Sequence, residues 1–148
     1  MTGQERISSL GELEAFSLNF LEKLSSIQTD GATTLLLEGN LGSGKTAFTK
    51  CLAKALGVTE EVTSPTFILE KIYPTKNKRF KKLVHIDAYR FEKEEEAKVL
   101  ELSNWYNDAS ALIVIEWPEK MKSFLPKTFQ KLSFEFIDEG VRQITIHG

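Results

Sequence analysis

The stretch Gly39-Asn40-Leu41-Gly42-Ser43-Gly44-Lys45-Thr46 constrains this chain more than any other, because it fills every fixed position of the pattern G-x-x-x-x-G-K-[ST]. Glycines at those places let backbone N–H groups turn inward and form a nest for an anion, with no Cβ to block a phosphate oxygen. Lys45 then supplies a mobile charge for β and γ phosphates, and the Thr46 hydroxyl can ligate Mg²⁺. The context agrees. Thr33-Thr34-Leu35-Leu36-Leu37 before the loop is an apolar run of buried-strand type, and Phe48, Cys51, Leu52, Ala55 and Leu56 after it recur at helical spacing, with Gly57 as the stop. The bland alternative is a glycine-rich turn that only joins strand to helix. A chance match to four fixed positions occurs in about one chain in a hundred of this size, and the flanking elements make it rarer still.

A strand–loop–helix unit needs a sheet around it, and the rest of the chain supplies one. Ser9-Leu10-Gly11-Glu12 reads as a capping box that opens a helix carrying Leu10, Leu13, Phe16, Phe20, Leu21 and Leu24. Thr66 to Tyr73 and Phe80 to Asp87 read as strands, Glu92 to Tyr106 as a charged helix, and Ala111 to Glu116 as a second buried strand. Lys131 to Ile137 and Val141 to His147 alternate about the turn Asp138-Glu139-Gly140, which predicts a terminal hairpin. The expected fold is α/β: one P-loop domain over residues 1–148 with a mixed parallel and antiparallel sheet flanked by helices. At 148 residues the chain is long enough to bury a sizeable core.

Composition excludes several functions. The net charge of −2 argues against a bulk nucleic-acid binder. One cysteine and two histidines give no internal disulfide and no ordinary Cys/His zinc site. The longest apolar runs, about five residues, fall far short of the roughly 20 that cross a bilayer. The first ten residues lack the apolar core of a signal peptide, so the expectation is a cytoplasmic chain with no membrane contact.

A phosphate-loop site also needs a carboxylate at the end of a neighbouring strand, and two qualify. Leu83-Val84-His85-Ile86-Asp87 ends in Asp87, and Leu112-Ile113-Val114-Ile115-Glu116 ends in Glu116. For either one alone the lesser, bland reading is an acid that merely leaves the core for solvent. Together they suggest divided work, one ordering the metal shell and the other the attacking water. Glu116, on the more apolar strand, is favoured for the metal, while His85 suggests a more polar neighbourhood for Asp87. Thr63-Ser64-Pro65-Thr66-Phe67 lies where switch segments sit, or is a proline turn entering a strand. Trp117 reads as a core aromatic, an adenine platform or a partner contact. Lys71, Lys76, Lys78, Arg79, Lys81 and Lys82 make a basic hairpin suited to RNA phosphates or an acidic partner, though a charge run there is first a solvated, protected edge.

Guanine recognition usually takes Asn-Lys-x-Asp, and Asn77-Lys78-Arg79-Phe80 lacks the aspartate, so ATP is the expected nucleotide. A small-molecule kinase would need an acceptor module and an arginine-bearing lid, and the chain has only Arg6, Arg79, Arg90 and Arg142. That kinase and a non-hydrolysing ATP-gated adaptor stand as the alternatives to a minimal ATPase whose output goes to a partner.

The phosphate loop, Thr63-Ser64-Pro65-Thr66-Phe67, His85-Ile86-Asp87-Ala88-Tyr89-Arg90 and Ile115-Glu116-Trp117-Pro118-Glu119, in this order and spacing, resemble the TsaE (YjeE) family. The resemblance covers roughly Leu10 to Trp117 and leaves the terminal hairpin aside. It implies an ATPase needed for threonylcarbamoyladenosine modification of tRNA, which binds the TsaD–TsaB complex and does not itself transfer the threonylcarbamoyl group. It further implies Thr46 and Glu116 as Mg²⁺ ligands, Lys45 as phosphate contact, Asp87 as a residue needed for hydrolysis, and Ser64 to Thr66 as a switch-like segment. Glu12 and Glu119 enter as nucleotide contacts on the same ground.

Overall fold

The computed structural model describes residues 2–63 and 69–148. The proposed switch segment Ser64 to Thr66 therefore lies outside the described residues. Seven strands form one sheet, in chain order β1 (Gly3–Ile7), β2 (Thr33–Glu38), β3 (Glu70–Pro74), β4 (Lys82–Asp87), β5 (Ala111–Glu116), β6 (Gln130–Asp138) and β7 (Val141–His147). Their spatial order is β1-β7-β6-β2-β5-β4-β3. The β6, β2, β5 and β4 strands run parallel, and antiparallel pairs at β7–β6, β1–β7 and β3–β4 complete the sheet, so the expected mixed architecture holds.

Each central strand is apolar on both faces because helical segments cover both. On one face lie α1 (Leu10–Ser25) and α2 (Lys45–Ala55), packed over Leu35, Leu37, Leu112, Val114, Leu132, Phe134 and Ile144. Phe48 of α2 sits among three other rings, with centroids 6.0 Å from Phe16, 6.3 Å from Phe20 and 5.6 Å from Phe134. On the other face, a 3₁₀ segment (Glu94–Leu100), α3 (Leu102–Tyr106) and a second 3₁₀ segment (Pro118–Phe124) cover Leu36, Val84, Ile86, Ile113 and Ile115. Among the described residues, no helix is long and apolar enough to cross a membrane.

Several elements differ from the sequence reading. The helix expected over Glu92 to Tyr106 is broken at Glu101, which takes a left-handed φ of 50°. Leu100 and Leu102 are both buried, and two residues that close in sequence share one helix face only if the chain breaks between them. Of the strand expected over Thr66 to Tyr73, the described part is Glu70–Pro74, and the next strand starts at Lys82 instead of Phe80. The β1 strand escapes the sequence reading because its Gly-Gln-Glu-Arg segment is exposed and has no apolar alternation; it forms on the free edge of β7. At α1 the Ser9 hydroxyl accepts from Glu12 N at 3.1 Å as expected, but the Glu12 carboxylate reaches Ser8 N at 2.9 Å instead of the cap residue, and Leu10 is exposed. Gly57 does end α2, with φ +80° and its N–H donating to Lys54 O at 3.0 Å.

Candidate functional site

The β2 strand ends at Glu38, and the chain turns through the glycine loop into α2 without a break. Gly44 caps that helix at φ +108°, a left-handed conformation that glycine alone adopts without strain. Gly39, at φ +148°, has no room either: a Cβ there would stand 2.6 Å from Ser43 Oγ and 2.7 Å from Phe134 O. The turn is closed by Ser43 N donating to Asn40 O at 3.1 Å, and α2 begins with Phe48 N donating to Gly44 O at 2.9 Å. The unpaired N–H groups of the first turn and the positive end of α2 thus face one cleft of about 420 Å³. Leu41, Gly42, Gly44, Lys45, Thr46 and Ala47 line its loop side.

Asp87, Tyr89, Glu116, Trp117 and Arg142 line the rest. Alternation along β4 puts His85 and Asp87 on the α2 face, and Glu116 stands opposite Asp87 in the parallel register of β4 and β5. Both acids therefore end neighbouring strands beside the phosphate loop. Glu116 is 2% and Asp87 9% exposed, so neither is a solvated surface acid. Glu116 Oε2 lies 2.6 Å from His85 Nε2, which is fully buried; a carboxylate only accepts, so the ring nitrogen donates. The bond of His85, on the same face as Asp87, goes to Glu116. Asp87 instead caps the following turn, accepting from Tyr89 N at 3.0 Å.

Lys45 Nζ is held inside the cleft by the Gly39 carbonyl and lies 3.7 Å from the Trp117 ring centroid. Burial pulls its ammonium below the ordinary lysine range, and the charges of Glu116, Glu119 and Asp87 oppose that pull. Trp117 sits at a left-handed φ of 60°, with its ring 5.1 Å from that of Tyr89. Thr46, Glu116 and Asp87 supply the hard oxygen donors that suit Mg²⁺, and with one Glu116 oxygen engaged by His85 the other is left for a metal. Among the described residues no group of three or more His, Cys, Asp or Glu side chains comes together as a metal cluster.

The structure brings Lys45, Thr46, Asp87 and Glu116 together in this cleft, along with Leu41, Gly42 and Gly44. Gly39, Asn40 and Ser43 shape the loop behind it. Glu119 is exposed in the segment after Trp117, close enough for its charge to act on Lys45. Glu12 is elsewhere: it borders a separate hollow of about 360 Å³ between α1 and β1, with Arg6, Phe16 and Ile146. Thr66 lies outside the described residues. Sequence reasoning did not single out His85, Tyr89 or Arg142 for the site. The i, i+2 spacing of His85 and Asp87 was the available signal for His85; nothing in the sequence places Arg142 at the phosphate loop.

Comparison with known proteins bears on the same cleft. The family described as "Threonylcarbamoyl adenosine biosynthesis protein TsaE" matches residues 8–144, a span that takes in every residue of the cleft. A Haemophilus influenzae protein named tRNA threonylcarbamoyladenosine biosynthesis protein TsaE is 32% identical over 125 residues, 84% of this chain and 77% of that one. A protein of the same name from Nostoc sp. is 36% identical over 133 residues, 88% of this chain and 78% of that one. The crystal structure of Bacillus subtilis YdiB superposes with a TM-score of 0.73 at 27% identity, covering 99% of this chain and 86% of that one.

Proposed function

The chain belongs to the TsaE family, and from that premise we propose that it is a Mg²⁺-dependent ATPase of tRNA threonylcarbamoyladenosine modification, working in the cytoplasm as accessory to the TsaD–TsaB transferase complex. One observation carries the nucleotide part: the glycine loop, the α2 N-terminus, Lys45 and two buried strand-end carboxylates face the same cleft. Loop N–H groups receive the phosphates, and Lys45 leaves the Gly39 carbonyl to meet their charge. Thr46 and Glu116 would hold a Mg²⁺ ion, which would neutralise phosphate charge when bound. Asp87, beside Glu116, orients the attacking water.

Leu41, on the loop at the mouth of the cleft, is 67% exposed. That open apolar tip supports completion of the site by a partner surface, with slow turnover by the isolated chain. Any tRNA contact is indirect or runs through the basic segment around Lys76 to Lys82. Calorimetric titration tests the nucleotide reading: Mg–ATP should bind wild type, bind Lys45→Ala at least tenfold more weakly, and outcompete Mg–GTP. Equal affinity of the two proteins for Mg–ATP would overturn it.

A further inference from the structure

Arg142 is the second residue of β7, paired in register with Phe136 of β6 on one side and Ile7 of β1 on the other. Two steps along the strand, Ile144 packs into the core beneath α1 and α2, so alternation sends the Arg142 side chain to the same face. There it reaches the phosphate loop. A Cβ built on Gly44 would collide with Arg142 Nη1 and stand 2.9 Å from its Cδ and 3.0 Å from its Cζ. The guanidinium thus occupies the space that a side chain at Gly44 would fill, and it lines the cleft together with Lys45 and Thr46.

Its own bonding is unusual for a half-buried arginine. Among the described residues it makes no ion pair and no side-chain hydrogen bond, although it carries five donors. The other cation of the cleft, Lys45, is already engaged by the Gly39 carbonyl and the Trp117 ring. The charges lining the cleft are Lys45 and Arg142 against Asp87 and Glu116. Without Arg142, an incoming polyphosphate would meet two carboxylates and a single cation.

We propose that Arg142 is a phosphate-binding residue of this site, delivered in cis by the terminal hairpin, whose planar fork takes non-bridging phosphate oxygens of the bound nucleotide. This role rests on the nucleotide reading of the cleft and adds a ligand to it. It also explains what the hairpin contributes, since pairing with both β1 and β6 fixes the arginine's Cα and lets the guanidinium approach the loop from a rigid base.

The test is calorimetric titration of Mg–ATP, Mg–ADP and magnesium pyrophosphate into wild type, Arg142→Gln and Arg142→Lys, with thermal melts of each. Glutamine keeps most of the stem and removes the charge. The expected result is a loss of about tenfold to a hundredfold for all three ligands in Arg142→Gln, at an unchanged melting temperature, with partial recovery in Arg142→Lys. Equal affinities in wild type and Arg142→Gln would overturn the proposal. So would a loss for the nucleotides that spares pyrophosphate, since that marks a contact to base or ribose, and so would a loss matched by a fall in melting temperature. If wild type binds none of the three, the nucleotide reading itself has failed, a result distinct from wild-type binding that Arg142→Gln leaves intact.

Discussion

Glu116 shows how far a residue's role can be set by a neighbour distant in sequence. Its carboxylate is almost fully buried, and a buried carboxylate without a donor is costly. His85, 31 residues earlier, supplies the bond at 2.6 Å and so fixes which oxygen faces the cleft. His85→Leu should therefore leave Glu116 without that donor, lowering stability by about 1–3 kcal/mol and slowing ATP turnover, while His85→Gln keeps a donor and recovers part of both. Urea unfolding and phosphate-release assays check this, and a Leu variant matching wild type in both would refute it. At this scale the sequence was legible where the backbone itself dictates the residue. A left-handed Gly44 and a crowded Gly39 leave no substitute, so the phosphate loop stands out in the sequence alone. The His85–Glu116 bond left no such trace, because it depends on the register of two strands far apart in the chain.

The elements that carry the two acids are pinned together below the site. Lys82 Nζ at the start of β4 lies 2.6 Å from Asp108 Oδ2, and Asp108 also accepts from Ser110 N and Oγ where the chain turns into β5. These bonds, with Lys82 first, hold the Asp108 carboxyl down to about 2 from an ordinary 3.8. The folded form thus favours the ionised acid. The stabilisation is fully present above pH 3.8 and is lost as pH falls towards 2. Asp108→Asn should accordingly lower the melting temperature at pH 7, by an amount that shrinks as both proteins are taken from pH 4 towards pH 2; a difference constant across that range would contradict it. Central elements were readable because burial on both faces writes apolar runs such as Ala111 to Ile115. The edge strand β1 and the broken segment at Glu101 were not, since one is held by backbone pairing and the other by the need to bury Leu100 and Leu102 at once.

Over the whole molecule, the candidate cleft draws its parts from distant stretches of the sequence: a loop at residues 39–46, strand ends at Asp87 and Glu116, and Arg142 from the last hairpin. The motifs located the first three. Sequence reading stopped short of the fourth, because the path from β7 across to Gly44 exists only once β6 lies beside β2. On the proposed reading, these two cations and two carboxylates hold Mg–ATP, and a partner seated at the exposed loop tip completes the site. The most direct measurement is phosphate release from Mg–ATP by this protein with and without purified TsaD–TsaB, beside Glu116→Ala. Slow release by the isolated chain, clear stimulation by the complex, and loss of that stimulation in the variant are the expected results. Full-rate release without the complex, or stimulation that survives Glu116→Ala, would contradict a partner-completed ATPase.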